Sequence, residues 1–161
     1  MQNDGIGHRF SAAYFKLGVT IAAHFARVSV MSTRTASCSC GQLQIEVQGE
    51  PLRVSVCHCL ACQKRTGSVF GEQARFDSSG VKIAGAATEY VRVGDEGTKF
   101  TFRFCPKCGA TVYYTAEGRD GVVAVPVGAF ADPNFPSPTV SVYERRRHSW
   151  LQIPIEFEHV P

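Results

Sequence analysis

Seven cysteines, at positions 38, 40, 57, 59, 62, 105 and 108, constrain this chain more than any other feature. They are odd in number and grouped at gaps of one and two residues, where disulfide rings are strained. The same spacing suits metal ligation. Residues i and i+2 of a strand face one side, so Cys38/Cys40 and Cys57/Cys59 each read as a strand-borne pair aimed at a common point. In Cys105-Pro106-Lys107-Cys108-Gly109 the proline stiffens a tight turn, and Gly109 accepts the positive φ that such turns often need. Free thiols persist where the surroundings are reducing, which predicts a cytoplasmic address.

Counting sulfurs favours one partition. Cys57, Cys59 and Cys62 form a local three-ligand set, and the doublets Cys38/Cys40 and Cys105/Cys108 together complete a four-cysteine tetrahedron. Other groupings split a close pair or strand a thiol. Four thiolates close a zinc shell, the structural type, whereas three leave a position for water or substrate, the catalytic type. Two zinc ions per chain are therefore expected, the closed one adding folding energy across the domain. The competing readings are a redox dithiol or a chance cluster within the triplet, and small buried residues for the doublets. His58, between two of the ligands, points to the other side of a strand and reads as a supporting or surface histidine.

Charge divides unevenly. Arg9, Lys16, Arg27 and Arg34 face only Asp4 in the first 36 residues, so the whole excess of +3 lies there and the remainder is neutral. A neutral body lacks the positive field of a nucleic-acid binder, and no nucleic-acid partner is expected. Phe10, Tyr14, Leu17, Ile21, Phe25 and Val28 recur at helical spacing opposite Lys16, Thr20, His24 and Arg27. Residues 1–33 thus read as an N-terminal extension, either an amphipathic helix or a stretch ahead of a start at Met31. Lys16 and Arg27 bracket too few residues for a transmembrane segment. Residues 34–161 read as one zinc domain.

Beyond Ser37 the apolar period switches to two. Leu43, Ile45 and Val47 alternate with polar residues, and Val54 and Val56 alternate with Arg53 and Ser55 toward Cys57. Strands are expected over Ser68–Phe76, Val81–Ala84, Glu89–Val93, Lys99–Phe104, Val112–Tyr114, Val122–Val127 and Thr139–Tyr143. Gly94-Asp95-Glu96-Gly97 marks a hairpin turn, and the stretch Asp132–Pro138 a Pro-rich loop. Short strands with regular turn signals and almost no helical pattern predict a mainly β body.

The order of these motifs resembles the glutathione-dependent formaldehyde-activating enzyme (GFA) family. The residues that carry the likeness are Cys38-Ser39-Cys40-Gly41, then Val56-Cys57-His58-Cys59-Leu60-Ala61-Cys62-Gln63-Lys64-Arg65-Thr66-Gly67-Ser68. Phe104-Cys105-Pro106-Lys107-Cys108-Gly109-Ala110 and Pro126-Val127-Gly128-Ala129-Phe130-Ala131-Asp132-Pro133 follow, then Pro138-Thr139-Val140-Ser141-Val142-Tyr143 with Trp150. The resemblance covers about residues 36–155 and implies a β-tent (Mss-four-like) fold of antiparallel sheets around zinc. It implies that Cys38, Cys40, Cys105 and Cys108 hold the structural ion and Cys57, Cys59 and Cys62 the catalytic one. The implied activity is that of a carbon–sulfur lyase, joining glutathione and formaldehyde as S-hydroxymethylglutathione and cleaving the adduct.

On this reading a substrate thiol binds the open zinc position as thiolate, and Lys64 and Arg65 receive the carboxylates of a peptide thiol. Ser68 is a candidate proton relay, and Glu72 an ordinary strand residue. The rival reading is a non-catalytic zinc module serving as a binding platform. Arg145-Arg146-Arg147-His148, with Tyr143 and Trp150, would then be its contact patch for an acidic partner.

Overall fold

The computed structural model describes residues 32–161; the helix expected within residues 1–33 lies outside them. The described chain is mainly β, with two sheets and a single α-helix. The smaller sheet joins β1 (Thr33–Ser37), β2 (Gln44–Gln48) and β5 (Val81–Ala84) in the order β1-β2-β5. The larger contains β3 (Arg53–Cys57), β4 (Gly71–Asp77), β6 (Thr88–Val93), β7 (Lys99–Phe104), β8 (Thr111–Ala116), β9 (Val122–Pro126), β10 (Val140–Val142) and β11 (Glu158–Val160). Its order is β11-β10-β3-β4-β9-β8-β7-β6. Pairing is antiparallel except around β10, which runs parallel to both β3 and β11.

Alternation explains the packing. Ala36, Leu43, Ile45 and Val47 of the small sheet and its turn meet Val54, Ala74, Phe76, Val123 and Val125 of the large one in a single buried cluster. Their neighbours in sequence, Arg53, Ser55, Gln73 and Arg75, therefore belong to the opposite face of the large sheet. That second face is the one that carries Cys57.

Several strand boundaries move. β4 begins at Gly71, because Leu60–Thr66 fold into the helix α1 ahead of it. The sequence conceals α1: its seven residues are too few to display an apolar stripe, and none of them is buried. Two further strands, β1 and β11, lack strong alternation and are held by their partners. The hairpin turn at Gly94–Thr98 and the loop around Asp132–Pro138 fall where expected, the former closed by Gly94 N–H donating to Thr98 O at 2.7 Å.

Candidate active site and metal centres

The four-cysteine group is assembled by turns, which differs from the strand-borne pair that the C-x-C spacing suggests for Cys38 and Cys40; in the second group Cys57 lies on a strand and Cys59 does not. Cys38 and Cys40 follow the end of β1 in a knuckle closed by Gly41 N–H donating to Cys38 O at 2.9 Å. Cys105 and Cys108 follow β7 in a second knuckle, closed by Gly109 N–H donating to Cys105 O at 2.9 Å, with Gly109 at φ 74°. The backbone N–H groups of Leu43 and Lys107 donate to Cys38 Sγ and Cys105 Sγ at 3.2 and 3.4 Å. The donor to Cys38 favours its thiolate over its thiol.

These two knuckles bring four sulfurs within 4.8 Å of one another. Four thiolates about 2.3 Å from a zinc ion lie about 3.8 Å apart. Cys38–Cys40 and Cys40–Cys105 are each separated by 3.6 Å. Without a cation the four groups conflict. Burial raises the Cys38 thiol, but the Leu43 N–H and the neighbouring thiols outweigh it and lower it to about 6. Cys40 is eased by the backbone at Gln42, yet hydrogen bonding with Cys38 and Cys105, and then burial, push it up to about 11. A dication removes that conflict, so the donor set fits a metal.

The second group is built at a strand–helix junction. Cys57 ends β3, Cys59 caps the N-terminus of α1 and accepts from Cys62 N–H at 3.3 Å, and Cys62 lies in the first turn. Their sulfurs also lie within 4.8 Å of one another. Cys59 is held well below its ordinary range by donation from Cys57 and Cys62, while those same contacts push Cys57 up. The three thiols thus oppose one another's ionisation, and a bound cation would relieve that opposition. All seven cysteines are free thiols.

Gly71 lets α1 lie close to β4. A Cβ there would stand 3.2 Å from Arg65 Nη2 and 3.3 Å from Cys62 Cβ. His58 stands outside the sulfur group: its ring is fully buried, and its Nε2 pairs with Ser141 Oγ at 3.1 Å.

Cys57, Cys59 and Cys62 open onto a cleft of about 350 Å³ lined by residues of the large sheet, its β6–β7 hairpin included. One wall is aromatic. Phe102 and Tyr114 pack tilted with centroids 4.8 Å apart, and Phe100 stacks on Phe102. Arg65 lies over Phe102 and Tyr114 at 5.4 and 5.8 Å, and Arg92 over Phe100 and Phe102 at 5.3 and 5.8 Å. Arg65 Nε and Nη2 are buried without a hydrogen-bond partner. Burial pushes the Tyr114 hydroxyl up, keeping it protonated.

Of the two basic residues expected at the site, Arg65 lines the cleft and Lys64 does not. Lys64 is exposed on the outer side of α1, over a neighbouring groove with Tyr90 and Phe104. Ser68 and Glu72 lie off the cleft lining. Arg53, Arg75, Arg92 and Arg119 also line it, together with Gln73 and Tyr114. Of these, Arg53 was legible, being two side-chain alternations from Cys57; the others arrive from strands and a loop that only the topology brings together.

The profile of the family described as glutathione-dependent formaldehyde-activating enzyme matches residues 33–146. A crystal structure of a Rhodobacter sphaeroides protein is 25% identical, with a TM-score of 0.46, over 59% of this chain and 85% of that one. No curated protein matches the chain. Among the described residues, no helix is long and apolar enough to cross a membrane.

Proposed function

This chain belongs to the glutathione-dependent formaldehyde-activating enzyme family, and on that premise we propose that it is a zinc-dependent carbon–sulfur lyase acting on a glutathione-like thiol and a small aldehyde. The observation that carries the reading is a three-cysteine group at the wall of a cleft where a further lining residue, Arg65, has two unpartnered buried donors. Two zinc ions are assigned, a closed one at Cys38, Cys40, Cys105 and Cys108 and an open one at Cys57, Cys59 and Cys62.

When bound by three cysteines, zinc supplies Lewis acidity and a fourth coordination position for an outside donor. The chain's own residues do the rest. Arg65 receives a carboxylate of the thiol substrate, its planar fork oriented by the rings of Phe102 and Tyr114. The aromatic wall excludes water and limits the orientations in which sulfur and carbonyl carbon meet. In the forward step a C–S bond forms, the carbonyl π bond opens onto oxygen, and the proton lost by the thiol returns to that oxygen. Tyr114, kept protonated by burial and lining the cleft, relays that proton, passing its own to the oxygen and taking the thiol's in return. The reverse step breaks the same C–S bond, and neither direction needs an oxidant or reductant. Lys64 is assigned no contact with the substrate.

The binding-platform reading is weaker, because two of the three arginines of the run are occupied internally. Arg146 pairs with Asp95 at 2.6 Å, and Arg147 donates to Leu151 O. The test is exchange NMR of glutathione and isotopically labelled formaldehyde with the zinc-loaded protein. Faster interconversion than in buffer with zinc alone is expected. An unchanged rate, with no thiol binding by calorimetry, would overturn the enzyme reading.

A further inference from the structure

Below the cysteine trio the same cleft holds a second, purely cationic feature. Arg53 lies four residues before Cys57 on β3, roughly 13 Å away at about 3.3 Å per residue. Arg75 is its register partner on β4, and Arg119, in the turn between β8 and β9, lines the same part of the cleft. None of the three side chains has an ion pair or a hydrogen-bond acceptor among the described residues. Arg34, Arg103 and Arg146, by contrast, are matched with Glu50, Glu89 and Asp95.

The acids of the cleft do not compensate. Asp95 is engaged by Arg146, and Glu96 accepts from Tyr143 at 3.4 Å. Glu158 faces the cleft without pairing with any of the three arginines. Arg53 Nε is buried with no partner, as is the neighbouring acceptor Gln73 Oε1, whose amide nitrogen is held by Ser55 at 2.9 Å. Burial, and then the charges of Arg119 and Arg53, lower the proton affinity of Arg75. Like charges gathered with their donors unspent are costly unless an anion joins them.

We infer that Arg53, Arg75 and Arg119 form a subsite for a tetrahedral dianion, of the phosphate class, carried at the far end of the thiol substrate. A single carboxylate would leave two of the three guanidinium charges unmatched. Gln73 Oε1 then accepts from an N–H or O–H of the spacer linking phosphate to thiol. The inference rests on the proposed function in taking the cysteine trio as the sulfur-binding end, and it adds the chemical class of the substrate.

Pantetheine and its 4′-phosphate test it, since these thiols differ only in the dianion. Calorimetry on the zinc-loaded protein should show the phosphorylated thiol binding at least tenfold more tightly. Arg75→Gln, and independently Arg119→Gln on the exposed turn, should each weaken the phosphorylated thiol roughly tenfold and leave pantetheine unchanged. Inorganic phosphate alone should bind more weakly than the tethered form. Equal affinities for the two thiols, a preference that survives in a folded Arg119→Gln protein, or inorganic phosphate binding as tightly as the phosphorylated thiol would each overturn the inference. A phosphate preference without accelerated adduct formation would preserve the subsite while the lyase reading failed.

Discussion

Cys40 Sγ stands 3.6 Å from Cys105 Sγ, although the residues are sixty-five positions apart. One belongs to the turn between β1 and β2 of the small sheet, the other to the turn between β7 and β8 of the large sheet. A metal held there staples the two sheets to each other. Cys105→Ala should therefore reduce bound zinc by more than the one closed-site ion, because the domain loosens as a whole. A fall in Tm above about 10 °C is expected, since metal binding is folding free energy in such sites. Thermal melts with metal analysis check it.

The cysteine trio spans one strand end and one helix turn on the same side of the molecule. Cys57→Ser should release one zinc per chain, leave Tm within about 4 °C of the parent, and abolish thiol binding. Equal destabilisation by Cys57→Ser and Cys105→Ala would contradict the division between an open and a closed centre.

A methyl at Gly71 would crowd Arg65 and Cys62 between β4 and α1. Gly71→Ala should displace Cys62 and Arg65 by a few tenths of an ångström, at a cost of about 1–3 kcal/mol typical of overpacking. The expected signature is weaker zinc affinity at the trio and a raised KM, with the four-cysteine centre still filled. Metal titration read at each centre separates these effects.

Glu50 Oε1 accepts from Ser32 at 2.7 Å, and its carboxylate takes a two-pronged contact from Arg34, whose guanidinium also lies over Phe135 at 5.6 Å. The Ser32 and Arg34 donors lower the Glu50 carboxyl below its ordinary 4.5. A carboxyl with a depressed folded value stabilises the protein above its unfolded pKa and loses that contribution as pH falls through the folded value. Glu50→Gln should thus match the parent more closely at acid pH than at pH 7. Tm measured across pH 3–7 tests the sign, and the effect should be small because the pair is exposed.

Asp95 and Arg146 tie the β6–β7 turn to the segment after β10 at the cleft mouth. Asp95→Ala should scarcely move Tm, exposed pairs contributing at most about 1 kcal/mol. It should raise KM with kcat little changed, as one wall of the mouth loses its anchor. Steady-state kinetics distinguish this from a folding defect.

Much of this architecture is legible in the residues. Period-two alternation locates β2, β3 and β7, and sulfur spacing separates the two groups that the structure brings together. The local backbone around those sulfurs is less legible. A C-x-C spacing fits a strand face and a knuckle equally well, and only the hydrogen bonds of Gly41 and the cap at Cys59 decide for turns. The helix α1 is short, with no buried residue to give it a pattern. The arginine subsite is hidden for another reason: Arg53, Arg75 and Arg119 are far apart in sequence and meet through the β3–β4 register and a turn two strands away.

The pleat of β3 gives adjacent residues different masters. Val54 and Val56 answer to the interior, while Arg53, Ser55 and Cys57 answer to whatever guest enters the cleft. A lineage of such proteins can therefore trade one guest for another by changing every second letter of a five-residue stretch, leaving the letters between to keep the molecule whole.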